Sequence, residues 1–245
     1  MPLFEMLMGF ARRGSLFFVC SSSLFFALGG CGVKDARSDG ASVSSQQPYS
    51  SRGLTEDSLI GAWNACTIID ENQDGIFDKD KDFSIFYRID FSSISIKNTM
   101  THYSDSLDCT GFAYAAGETS AAYILAGDSS VVPGAKNLNL AAINIETVTL
   151  HDDVTVAFYN MFATGNPDHL GAHGKANWIK DVPMIVTGTQ FDGTTYTPAP
   201  TYSILKVVNG KMYLGRSGGN NANDGSTDGK RHAVLDMDQP YTIER

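Results

Sequence analysis

Residues 83–91 read FSIFYRIDF, with Phe83, Ile85, Tyr87, Ile89 and Phe91 on every second position and mostly polar residues between them. Successive side chains of a β-strand point to opposite faces, so this period of two is the pattern of a half-buried strand. A helix would scatter the same five side chains around its surface. Related signals recur along the chain. YSILKVV and KMYLG flank Asn209-Gly210, a dipeptide suited to the two-residue hairpin turn whose residues both take positive φ. The run Asn137–Leu150 shifts its apolar phase twice, from Leu138 and Leu140 to Ile143 and Ile145, then to Val148 and Leu150, which predicts bulges that curve a sheet. His151-Asp152-Asp153 is expected to be a turn with hydrated carboxylates, and Val154, Val156 and Phe158 to face one way in the strand after it. No long helical pattern follows residue 30. The charged fraction is only 18%, and Gly, Ser, Thr and Asn are plentiful. Together these features predict an all-β domain of about eight to ten antiparallel strands, a single barrel or a sandwich.

The N-terminus has a different character. Arg12-Arg13 precede the apolar segment Gly14–Leu28, which is too short and too interrupted by Ser21-Ser22-Ser23 for a membrane span but has the length of an export signal. It ends in Leu28-Gly29-Gly30-Cys31, which resembles the lipobox of bacterial lipoproteins: an aliphatic residue, two small ones, and the cysteine that receives diacylglycerol. The resemblance implies a signal peptide over 1–30, lipidation of Cys31, and a membrane partner reached through that lipid. Gly32 rather than Asp after the cysteine implies sorting to the outer membrane in an organism with two membranes. Residues 31–54 are rich in Ser, Gly and Gln and read as a flexible tether, spanning on the order of 25 Å. The folded domain is expected over 55–245. Once Cys20 leaves with the signal and Cys31 carries lipid, Cys66 and Cys109 remain in a compartment that permits disulfides, and they are expected to pair.

A short helical turn over Thr55–Leu59 is expected to lead into Leu59-Ile60-Gly61-Ala62-Trp63 at the first strand of an antiparallel meander. This resembles the start of lipocalin-like barrels. In that family the tryptophan plugs one barrel end and stacks on a late arginine, a role open to Arg216, Arg231 or Arg245. The family's Thr-Asp-Tyr signature is absent.

The richest polar segment is Asp70–Asp82. Oxygen-bearing residues at alternate positions with a glycine at the turn suit Ca²⁺, and the segment resembles the calcium loops of EF-hands and dockerins. The candidate ligands are Asp70, Asn72, Asp74, Ile76 (through its backbone carbonyl), Asp78 and Asp82, with Lys81 standing where the bidentate acid of such loops would be. Other strings are weaker. Gly215-Arg216-Ser217-Gly218-Gly219 matches the nucleophile elbow of α/β-hydrolases, but NNANDGSTDG after it cannot form the helix that the elbow needs. His169 and His173 have zinc-like spacing, with Asp168 as a possible third ligand, yet Pro167, Gly171 and Gly174 oppose a helix there.

Net charge is −9, and without residues 1–30, which hold Arg12, Arg13 and Glu5, the chain keeps 16 basic and 26 acidic side chains. With no basic cluster, nucleic acid is excluded as a partner. The expectation is a lipid-anchored, non-catalytic envelope protein whose β domain binds a small apolar ligand, or a protein or glycan. The alternatives are a calcium-stiffened structural or adhesive module and a secreted hydrolase with scattered catalytic residues.

Overall fold

A computed structural model describes residues 55–244, except 71–76, 78–81, 105, 143–144, 164–174, 176, 188–189, 192–193, 196–198 and 218–221. The protein is mostly β, and its centre is a closed, eight-stranded antiparallel barrel. The strands are β1 (Gly61–Ile69), β2 (Phe83–Phe91), β3 (Ser95–Ser104), β4 (Ala113–Asp128), β5 (Lys136–Leu140), β6 (Ile145–Leu150), β7 (Met184–Ile185), β8 (Gln190–Phe191), β9 (Thr194–Thr195), β10 (Thr201–Val208), β11 (Lys211–Arg216), β12 (Val234–Leu235) and β13 (Tyr241–Ile243). The ring runs β3-β2-β1-β13-β11-β10-β5-β4 and closes through β3–β4. Barrel strands adjacent in sequence are thus adjacent in space, apart from the segment inserted between β5 and β10 and the β12 segment between β11 and β13. Of the two architectures expected, the barrel is the one adopted.

The alternating strand reads as expected. Ile85, Tyr87, Ile89 and Phe91 are buried and belong to the barrel core with Trp63, Ile96, Tyr123, Leu138, Leu140, Leu205, Met212 and Leu214. Outward positions carry ion pairs: Arg88 bonds Asp90 at 3.1 Å and Glu244 at 2.5 Å, and Lys97 meets Glu118 at 2.8 Å. A membrane-spanning barrel would need an apolar outer band here.

At one end the connections are short. Ser92 Oγ accepts the amide of Ser95 at 2.9 Å in the β2–β3 turn. Asn209 and Gly210 take φ of 52° and 74° between Val208 and its partner Lys211, the expected hairpin. A 3₁₀ turn over Glu56–Ser58 leads into Leu59, which is wholly buried, and Trp63 Nε1 donates to the Leu59 carbonyl at 2.8 Å. We call this the turn end.

At the opposite, loop end lie the feet of the longer connections, between β1 and β2, β3 and β4, β5 and β10, and β11 and β13. There β4 forks: one edge bonds β3, while the other bonds β5 through 123–128 and β6 through 115–120. The interruption between β5 and β6 lies within the run whose phase shifts predicted bulges.

Two expectations fail nearby. The segment after His151 is a helix, α1 (Asp153–Ala163), rather than a strand. Asp152 is its cap rather than a hydrated turn residue: one carboxylate oxygen accepts the Thr155 amide at 2.7 Å and the Thr155 hydroxyl at 2.9 Å, an arrangement worth about 1 kcal/mol. Among its described side chains, Thr155 and Tyr159, one helical turn apart, are the buried ones, whereas Val154 is exposed. Tyr159 meets Trp178 edge-on at 5.1 Å, and the Asn160 side chain holds the Trp178 backbone at both its N–H (2.7 Å) and carbonyl (2.9 Å). With Ala115, Val148, Leu150 and Val186 these rings form a second, smaller core, separate from that of the barrel.

Cys66 and Cys109 are bonded, with Cα atoms 5.9 Å apart. The loop after β3 crosses the outside of β2, where the Cys109 amide donates to Ser84 Oγ at 3.1 Å, and is stapled to β1. Closing 43 residues of chain stabilises the fold by about 4 kcal/mol in the chain-entropy model.

Candidate functional site

The two apolar clusters are not continuous along the β3–β4–β6 wall. Register places Asn98 opposite Thr119, and Thr119 opposite Glu146. Paired residues of neighbouring strands share a face, and Asn98 alternates in phase with core residues Ile96 and Met100, so this row points inward. Asn98 and Thr119 are each 8% exposed and Glu146 5%. Neither Asn98 Oδ1 nor Thr119 Oγ1 has a hydrogen-bond partner, although leaving a buried polar group unmade costs about 1–3 kcal/mol.

The next row is Met100, Gly117 and Val148. Met100 and Val148 are buried, but Gly117 between them is half-exposed, and a methyl group in its place would find no atom within 4 Å. Glycine here leaves open space beside the unpartnered oxygens. Polar groups beside open space in an otherwise apolar interior are the usual make-up of a small-molecule site.

Glu146 is held by its backbone: its amide donates to Thr187 Oγ1 at 2.6 Å and its carbonyl accepts the Val186 amide at 2.9 Å. Burial raises its carboxyl from 4.5 to about 7. One row beyond Gly117, burial lowers the His102 imidazole to about 4, which keeps it neutral.

A second polar group, at the loop end, has a different character. Ser203 Oγ lies 3.0 Å from His232 Nδ1, and His232 is fully buried. The pair has the composition of a nucleophile and its base, but a Cβ at Gly215 would fall 2.8 Å from both His232 and Ser203, and one at Gly225 would fall 2.7 Å from His232 Nε2. The side chains are wedged between splayed β10 and β11 with no room for a substrate. Arg231 secures the same segment through the carbonyl of Ser203 at 2.8 Å, Asn139 Oδ1 at 2.6 Å and an ion pair with Asp228.

No known protein-family model matches this chain, and no curated protein is significantly similar to it.

The residues singled out from the sequence are placed as follows. Cys66 and Cys109 come together. Asp70 and Asp82 stand at the feet of the β1–β2 hairpin, where Ile69 pairs with Phe83; Asp82 is 2% exposed. Asn72, Asp74, Ile76 and Asp78 lie outside the described residues, as do Cys31, Asp168, His169 and His173. Among the described residues no three His, Cys, Asp or Glu side chains gather as a metal site. Trp63 sits in the core near the turn end, but Arg231 lies over the Tyr202 ring, 5.5 Å from its centroid, and Arg245 is outside the described residues. Ser217 follows the end of β11, with 218–221 outside the description.

Sequence reasoning missed Asn98, Thr119 and Glu146. A signal existed for Asn98, a polar residue in the apolar phase of SIKNTMTHYS. Another existed for Glu146, which shares its phase with Val148 and Leu150, whereas Ile145 is 52% exposed.

Proposed function

We propose that the protein is a lipid-anchored component of the cell envelope whose barrel takes up a small, largely apolar molecule bearing one polar group. The observation that carries the binding reading is the inward row Asn98–Thr119–Glu146, two of whose oxygens lack partners, beside the open position at Gly117. Support for anchoring comes from the charged, apolar and Leu-Gly-Gly-Cys features of residues 12–31. The described chain begins at Thr55 on the turn end, so a lipid on Cys31 would hold that end toward the bilayer.

Two measurements test the two halves of this reading. Metabolic labelling with a radioactive fatty acid should mark the wild-type chain and not Cys31→Ala; an unlabelled wild type, or a labelled variant, removes the anchor. The apolar fluorescent probe N-phenyl-1-naphthylamine should bind the wild type, and Gly117→Leu, whose Cβ has no atom within 4 Å and whose branched end would occupy the open position, should abolish binding while the melting curve stays cooperative. Equal binding by both proteins would place the ligand outside the barrel.

A further inference from the structure

Resting on that reading, we infer that the polar group recognised by Asn98, Thr119 and Glu146 is a protonated amine, so that the ligand class is an amphiphile with an ammonium head and an apolar tail. The argument is one of donors and acceptors. Asn98 Oδ1 can only accept, a threonine hydroxyl accepts as well as donates, and a carboxylate accepts when ionised. The two partnerless atoms of the row are both oxygens able to accept, so a ligand that satisfies them must donate. An alkylammonium brings three N–H donors on one small tetrahedral centre, and its charge would draw Glu146, whose carboxyl burial raises to about 7, into the ionised form.

Other head groups fit less well. A carboxylate or phosphate would set like charge against Glu146 in a buried setting. An alcohol offers a single donor. A divalent cation would meet one carboxylate, and no three acidic, His or Cys side chains gather here among the described residues. Within the β3–β4–β6 wall no cation competes: the rows on either side are Ile96 and Ala121, then Met100, Gly117 and Val148. His102, one row further along the same face, is kept neutral by burial. The salt bridges of Lys97 and Glu118 lie on the outer face, out of phase with the row. Met100 and Val148, on either side of the open position at Gly117, are the apolar side chains the tail would meet first.

The test uses the full chain carrying Cys31→Ala, which removes the expected acylation site and the need for detergent. Dodecylamine, dodecanol and dodecanoate, each below its micellar concentration, compete at neutral pH against bound N-phenyl-1-naphthylamine. Dodecylamine is expected to displace the probe at a concentration at least tenfold below that of dodecanol, with dodecanoate weakest. Glu146→Gln should erase the amine preference and leave dodecanol unchanged, and Thr119→Val should reduce that preference, which covers the case of a Glu146 variant that fails to fold. If amine and alcohol compete equally and both variants leave the ratio unchanged, the ammonium assignment is overturned while uptake into the barrel stands. If none of the three displaces the probe, or the probe itself does not bind, the barrel reading falls and the assignment falls with it.

Discussion

The two ends of the barrel solve the same problem in opposite ways. At the turn end, the β2–β3 and β10–β11 connections are short and met by local chemistry: a Ser92 hydroxyl in one turn, left-handed Asn209 and Gly210 in the other, and Leu59 over the indole of Trp63. At the loop end, β1–β2, β3–β4, β5–β10 and β11–β13 are joined by longer segments that need a disulfide, a helix and a wedged histidine to hold them. The main core spreads through the barrel from the turn end, while the second core belongs to the inserted α1 and Trp178 region. The polar row with its two partnerless oxygens lies where the two cores meet. Stability and recognition are thus separated along the barrel axis: strong local turn signals leave little freedom, whereas inserted segments can hold polar groups that a tight core would exclude.

The comparison can be broken most directly with its two tryptophans. Trp63→Ala should cost about 3–5 kcal/mol and lower the stability of the whole barrel. Trp178→Ala should cost less and raise hydrogen exchange chiefly in β6, β7 and α1. Equal loss of protection in β1–β3 for both variants would mean that the two ends form one cooperative unit.

Titration sharpens the comparison further. Glu146 has a raised carboxyl, so its burial costs nothing below about 4.5 and the full amount above about 7; stability falls as pH rises through that window. The size is on the order of 3 kcal/mol. His102 is depressed from 6.5 to about 4, so its contribution is present above 6.5 and is lost as pH falls toward 4, the opposite slope. Urea unfolding at several pH values should therefore give a shallow wild-type profile. Glu146→Gln should gain stability at pH 7 and then lose it on acidification. An unchanged profile in that variant would show that Glu146 meets water freely.

The smallest expected effect concerns the acidic hairpin. If Asp70–Asp82 takes Ca²⁺ with a dissociation constant on the order of 0.1–1 mM, 5 mM calcium should stabilise the chain by about 1–2 kcal/mol. Mg²⁺ should do far less, and Asp74→Ala should abolish the shift. Melting curves that coincide in calcium and in chelator would reduce the loop to a solvated hairpin.

Local signals made part of this molecule legible. The period of two in 83–91, the Asn-Gly hairpin, the turn before Gly61-Ala62-Trp63 and the pairing of two cysteines all depend on residues close in sequence or on a choice with one remaining option. The longest strand gave no such signal. AYAAGETSAAYILAGD is rich in small residues, yet β4 is the hinge of the architecture, bonded to β3, β5 and β6. Small side chains let sheets and helices approach closely, but they carry little periodic contrast. The helix α1 was misread because Val154, Val156 and Phe158 satisfy a period of two while Thr155 and Tyr159 satisfy a helical turn. Eleven residues leave that ambiguity open until Trp178 supplies a surface to bury against.

By itself, then, the sequence determined the β class, the short turns and the disulfide partners, because backbone sterics and side-chain alternation act over a few residues. Only the tertiary structure decided that the sheet closes into a barrel, that β4 forks, and that Asn98, Thr119 and Glu146 share one buried row. Those three residues are far apart along the chain. Their meeting depends on the register of β3 on β4 and of β4 on β6, a property of paired strands that no single strand encodes.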